Sequence, residues 1–104
     1  MPTRSAEIFM SYDIQHDQSA RRFETTVDGE HCLLDYTLAD GVANCVMTIT
    51  HTEVPAEVGG RGVASALVQA ALDAARKHGW KVIPACSYAD AWMKRHAGYG
   101  DLRL

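Results

Sequence analysis

From Arg22 to His51 the chain alternates apolar and polar positions with period two, the spacing of strands that bury one face. In Arg22–Val27, Phe23 and Val27 flank Thr25 on one side, and Asp28-Gly29 supplies a turn. Cys32, Leu34, Tyr36 and Leu38 then alternate with His31, Leu33, Asp35 and Thr37 up to a second turn at Asp40-Gly41. Residues 43–51 (ANCVMTITH), rich in Val, Ile and Thr, form the third strand. Three strands joined by Asp-Gly turns predict an antiparallel meander. Residues 1–13 read as a loosely held lead-in.

Beyond Pro55 the period changes. Val63, Ala64, Leu67, Val68, Ala71, Leu72 and Ala75 fall on two adjoining rows of one helix. Arg76, Lys77 and His78 suit the negative end of its dipole, and Gly79 stands where the chain leaves a helix through the left-handed region. Residues 80–86 (WKVIPAC) form a short apolar strand. Strand, helix, strand in that order requires a crossover, so this strand and the one ending at His51 should be parallel neighbours. Ser87, with Asp90 three residues on, reads as the cap of a last short helix that continues through Ala91, Trp92 and Arg95 and stops at Gly98. The expected architecture is α/β: a meander, then one strand-helix-strand crossover, in a single domain over residues 1–104.

Composition narrows the chemistry. A chain of 104 residues with 47% hydrophobic content supports one core without staples. A net charge of −3 argues against general nucleic-acid binding. That charge is unevenly spread: residues 1–60 hold three arginines against ten acidic residues (net −7), and residues 61–104 hold seven basic residues against three acidic ones (net +4). Cys32, Cys45 and Cys86 are odd in number and form no C-x-x-C pair, which speaks against a disulfide framework or a zinc ribbon. His51, Cys86 and His96 lack ligand spacing, so no metal is assigned. With no apolar run long enough for a membrane span and no secretory signature at the N-terminus, the expected location is the cytoplasm, with no membrane partner.

The stretch HTEVPAEVGGRGVASALV, residues 51–68, carries the most chemistry. Gly59, Gly60 and Gly62 lie between a strand and a helix, where they permit positive φ and close approach of a ligand to the backbone. N–H groups of the first helical turn then favour an anion such as a diphosphate, and Arg61 offers a charge-assisted bond. The alternative is a plain turn before a buried helix. The loop is neither a Walker A sequence nor a G-x-G-x-x-G fingerprint.

GGRGVA, residues 59–64, after an antiparallel meander, resembles the acetyl-CoA loop of the GNAT acetyltransferase superfamily. Gly62 and Ala64 match the last two defined positions of Q/R-x-x-G-x-G/A, and Gly59 stands where Gln or Arg is usual. The series RFE, DG, Y, HTEVP, G-x-A, VIPACSY and RH resembles the short, acetyltransferase-domain-only branch of that superfamily over residues 13–104. The resemblance implies a compact GNAT core with a central mixed, twisted sheet and a splay between its two parallel strands. It implies acetyl-CoA as co-substrate, its pantetheine arm against backbone of residues 50–54, including Thr52, Glu53 and Val54. The diphosphate would rest on Gly60, Arg61, Gly62, Val63, Ala64 and Ser65, beside Gly59.

Within that frame Cys86 ends the strand facing the gap, beside a helix start that lowers thiol pKa. Its roles are nucleophile or proton donor to the leaving CoA thiolate, against that of a small buried apolar residue. His51 and Glu53 are candidate bases toward an amine, against solvated surface groups. Tyr88, ahead of Tyr99, is a candidate phenol acid. The remaining histidines, Cys32, Cys45 and Trp92 read as surface or packing groups. The leading reading is acetyl transfer to an amine, by direct attack or through Cys86. The alternatives are a CoA-binding module with little catalysis and a thiol redox protein. Only a turn separates the first two strands, so the acceptor groove should be open, suiting a lysine or chain end of a protein. An exposed edge strand leaves monomer and homodimer both open.

Overall fold

The computed structural model describes residues 12–41 and 43–104. Five strands form one sheet in the order β1-β2-β3-β4-β5: β1 (Gln15–Asp17), β2 (Arg22–Val27), β3 (Glu30–Asp40), β4 (Cys45–Glu53) and β5 (Lys81–Pro84). The first four are antiparallel, and β5 pairs parallel to β4. Helix α1 (Val63–His78) makes the crossover, α2 (Ser87–Arg95) follows β5, and 3-10 segments occupy Ala56–Val58 and Ala97–Leu102. The α/β architecture, the meander and the crossover are those the periodicity predicts.

One face of the sheet carries the core. Phe23, Cys32, Leu34, Tyr36, Met47, Ile49 and Val82 pack against Leu67, Val68, Ala71, Leu72 and Ala75 of α1 and Ala89, Trp92 and Met93 of α2, all buried. The opposite face carries the polar members of each strand. Arg22 pairs there with Asp35 at 2.7 Å and His31 with Glu24 at 2.8 Å, across neighbouring strands. Among the described residues no helix covers this second face.

Several expectations need correction. Strand β1 has no counterpart in the sequence reading, because its residues Gln-His-Asp look polar. Pairing opposite Phe23 turns His16 inward, where its ring stacks at 3.9 Å and its Nε2 lies 2.6 Å from the Tyr36 hydroxyl. Residues 1–11 of the expected lead-in lie outside the described residues. Its last two, Tyr12 and Asp13, are held: the Tyr12 hydroxyl donates to the Arg61 carbonyl, and the Asp13 carbonyl accepts from Thr25 at 2.9 Å. The third strand runs two residues further, to Glu53, and β5 stops at Pro84 rather than at Cys86. Ser87 does not cap α2; Cys86 does, in extended conformation, with no side-chain cap bond. Asp90 is drawn instead to Lys94 and Arg103, each at 3.0 Å, so the capping box does not form. Helix α2 ends at Arg95, and Gly98 lies inside the second 3-10 segment.

Candidate active site between β4 and β5

Strands β4 and β5 run side by side from the Val46–Lys81 pair to the Ile49–Pro84 pair. There Pro84 intervenes. It has no N–H to continue the ladder, and the Ala85 N–H folds back onto the Ile83 carbonyl at 3.1 Å in a three-residue turn. The Cys86 N–H makes one last bond, 3.0 Å, to the Ile49 carbonyl before the chain turns into α2. Strand β4 goes on to Glu53 paired with β3, so its other edge is unmatched by β5 over Thr50, His51, Thr52 and Glu53. A wedge thus opens between two parallel strands at their C-terminal ends. Extended ligands find backbone donors and acceptors along such an edge.

A bulge decides which side chains meet in the wedge. Tyr36 pairs with Ile49, but Asp35 pairs with His51, leaving Thr50 as an extra residue in β4 whose hydroxyl donates to the Asp35 carbonyl at 3.2 Å. Without it His51 would turn toward the core. With it, Thr52 pairs with Leu34 and shares the core-side face, whereas His51 and Glu53 share the uncovered face with Asp35 and Leu33. The structure therefore separates two groups the sequence offered as one set. Cys86 Sγ lies 3.7 Å from Thr52 Oγ1 on the core side. His51 Nε2 lies 3.2 Å from Glu53 Oε1 on the open side, with both side chains more than half exposed (56% and 61%).

The Cys86 thiol is half-buried. Burial pushes its pKa up, but polar backbone of Ala89, the Thr52 hydroxyl and backbone of Tyr88 and Thr52 together outweigh burial and hold it below the ordinary thiol value. As the cap of α2 the sulfur sits where the helix dipole favours a thiolate. Cys32 contrasts: fully buried, its thiol is pushed up by desolvation. Cys45 is half-buried at the start of β4, away from the wedge.

The glycine loop follows directly. Val58 is buried and anchors it, and the Gly59 N–H is engaged by the Ala56 carbonyl at 3.1 Å. Gly60 and Gly62 both adopt positive φ, +78° and +79°, a conformation that costs other L-residues about 1–2 kcal/mol. Gly62 is the N-cap of α1, no side chain caps the helix, and the first helical bond is Ala66 N–H to the Gly62 carbonyl. The N–H groups of Val63, Ala64 and Ser65 precede that bond, and N–H groups at an uncapped helix start favour an anion. Arg61 behaves differently: its guanidinium holds Asp28 of the β2–β3 turn at 2.5 Å instead of standing free over that helix start. That contact joins residues 33 positions apart, and neither partner's type or spacing signals it.

Tyr88 lies half-buried on the first turn of α2, two residues past Cys86. Tyr99 is committed elsewhere, donating to Asp73 of α1 at 2.8 Å, with burial and that carboxylate raising its pKa. His96 Nδ1 donates to the Trp92 carbonyl at 2.7 Å, a packing role within α2 and its end. Among the described residues no three His, Cys, Asp or Glu side chains gather as a metal site, and no helix is long and apolar enough to cross a membrane. Trp92 is buried as expected, but its indole N–H donates to Ser65 Oγ at 2.7 Å, a link the sequence does not signal.

Comparison with known proteins matches these features. The family model for GCN5-related N-acetyl-transferase covers residues 22–102. Protein NATD1 of Mus musculus is 31% identical over 83 residues, spanning 80% of this chain and 74% of that protein. Protein NATD1 of Homo sapiens is also 31% identical over 83 residues, spanning 80% and 73%. The solution structure of a GCN5-like protein from Staphylococcus aureus superposes with TM-score 0.69 at 27% identity, over 89% of this chain and 88% of that one. A ribosomal-protein-alanine N-acetyltransferase from Brucella melitensis shares the fold at TM-score 0.52 and 18% identity, over 76% and 63% of the two chains.

Proposed function

Because this chain belongs to the GCN5-related N-acetyltransferase family, we propose that it moves acetyl from acetyl-CoA to a primary amine within the wedge between β4 and β5. The observation that carries the reading is the parting of these strands at Pro84, with the glycine loop that opens α1 following β4 through one 3-10 segment. The diphosphate rests on the cradle of Gly60, Gly62, Val63, Ala64 and Ser65, and the pantetheine arm follows the edge of β4 that β5 leaves unmatched, at Thr52 and Glu53, and goes on to Val54 just beyond the strand. Both ligand parts then meet backbone N–H groups, for which glycine leaves room.

In the direct route the amine lone pair attacks the thioester carbonyl carbon, and the carbonyl electrons move onto oxygen. Collapse of that adduct breaks the C–S bond. His51, held by Glu53, takes the proton from the nitrogen on the uncovered side. The CoA thiolate leaves on the Cys86 side and receives a proton from that thiol or from water. The division of His51 and Cys86 between opposite faces of β4 suits two separate proton transfers at the two ends of one reaction. It also keeps His51 from acting as the base for Cys86.

The lowered pKa of Cys86 favours a second route, in which its thiolate accepts acetyl from CoA before the amine does. The two routes separate on one experiment. The protein is incubated with acetyl-CoA alone and weighed intact, then mapped by peptide. A single acetyl on Cys86, lost on adding amine, establishes the relay; no acetyl on Cys86 with turnover intact establishes direct transfer. Absence of acetyl-CoA binding overturns both. The uncovered sheet face, with no helix between β2 and β3, suits an acceptor presented by another protein, a lysine or a chain end. Action in the cytoplasm is part of the same proposal.

A further inference from the structure

Trp92 is 2% exposed, and its one polar atom, the indole N–H, is spent on Ser65 Oγ at 2.7 Å. An indole can only donate, so Ser65 must accept there, and its own proton points elsewhere. Two local carbonyls compete for that proton in a helix, those four and three residues back. Each already accepts one bond, the Arg61 carbonyl from the Tyr12 hydroxyl and the Gly62 carbonyl from the Ala66 N–H at 3.0 Å, so the Ser65 proton would reach either as a second donor, a weaker bond than one to an anion beside the same turn. Among the described residues no backbone acceptor takes the N–H groups of Val63 and Ala64, and Ser65 lies in the same turn, where its hydroxyl can serve as a further donor.

The indole is itself held firmly. The His96 ring stacks on it at 3.7 Å and 11°, and His96 is tied back to the Trp92 carbonyl. Trp92 also belongs to the helix that Cys86 caps. One hydrogen bond therefore links the helix bearing the thiol to the turn bearing the anion cradle.

We propose that Trp92 is a positioning residue for the diphosphate of acetyl-CoA, fixing the Ser65 hydroxyl as a hydrogen-bond donor to that anion. The proposal rests on the reading of the glycine loop as the CoA site. Trp92 touches no substrate and acts through Ser65.

Titration calorimetry with CoA on the wild type, Trp92→Phe, Ser65→Ala and the double variant tests it. Ser65→Ala is expected to weaken CoA about tenfold, the loss of one hydrogen bond to a charged group, and Trp92→Phe several-fold. The double variant should match Ser65→Ala alone, because the indole has nothing left to orient. Pantetheine, which lacks the diphosphate, should lose nothing in Trp92→Phe, a distinction that general loosening of the fold does not produce. Losses that multiply in the double variant, or unchanged CoA binding in Trp92→Phe, overturn the proposal while leaving the CoA site in place. Failure of the wild type to bind CoA overturns both. Should Trp92→Phe not fold, Trp80→Phe leaves Trp92 as the sole tryptophan of the two in the chain. Its emission should then shift on adding CoA, and the shift should vanish when Ser65→Ala is added. A constant emission with CoA bound refutes the link.

Discussion

Helix α1 carries a matched pair of glycines that separates folding from binding in one comparison. Gly62 caps its N-terminus at φ +79° and Gly79 its C-terminus at φ +76°, and an added Cβ would meet nothing within 4 Å at either position. Alanine at either site therefore bears only backbone strain, about 1–2 kcal/mol for a left-handed L-residue. Lower entropy of the unfolded chain offsets about 0.4–1 kcal/mol of that. Each variant should lose about 1 kcal/mol, a fall in Tm of about 4–8 °C for a domain this size. The two should be alike in a thermal melt. They should differ in binding. At Gly62 the new methyl projects from the N-cap into the space proposed for the anion, and displacing one charge-assisted bond costs about 1.5–3 kcal/mol, or about 10- to 150-fold in the Kd for acetyl-CoA. At Gly79, at the far end of a 16-residue helix, the Kd should be unchanged. Equal Kd values for the two variants would refute the cradle; an unaltered melting point in both would refute the strain argument.

Three further outcomes follow from the same geometry. Cys86 should be alkylated by iodoacetamide well ahead of buried Cys32, and Thr52→Val should slow that reaction at neutral pH and move its profile to higher pH; an unchanged profile removes Thr52 from the thiol's surroundings. Leu67→Ala, at a fully buried position between α1 and the sheet, should cost about 3 kcal/mol in urea unfolding, and a loss below about 1 kcal/mol would mean that the site collapses to fill the cavity. The Asp101 carboxyl is held below its usual range chiefly by its bond to Arg76. Its contribution to stability is thus present above the carboxylate's unfolded pKa and lost as pH falls through its folded one, so wild type and Asp101→Asn should differ at neutral pH and converge in acid.

The sequence by itself determined the elements whose signals are local. Phe23, Thr25, Cys32, Leu34 and Tyr36 are buried as alternation requires, since a strand facing one core has only one way to place them. The apolar rows of α1, the Gly79 terminus and the Asp28-Gly29 turn follow for the same reason, each set by residues a few positions apart. The glycine loop was legible too, because positive φ and an uncapped helix start leave a mark in composition.

Tertiary structure decided what depends on partners far along the chain. Period-two counting carries Ile49 into His51 on the core face; the extra residue at Thr50 reverses that and sends His51 outward and Thr52 to Cys86. Nothing in one strand announces a bulge, because it is a property of two strands in register. Ser87 has the better capping side chain, yet the bond from the Cys86 N–H to Ile49 holds Cys86 extended and makes it the cap. Arg61 meets Asp28, and Trp92 meets Ser65, only because the crossover folds α1 over the meander and α2 over the start of α1. Local free energy chose the strands and helices, and the packing of one against another chose which polar atoms face the wedge.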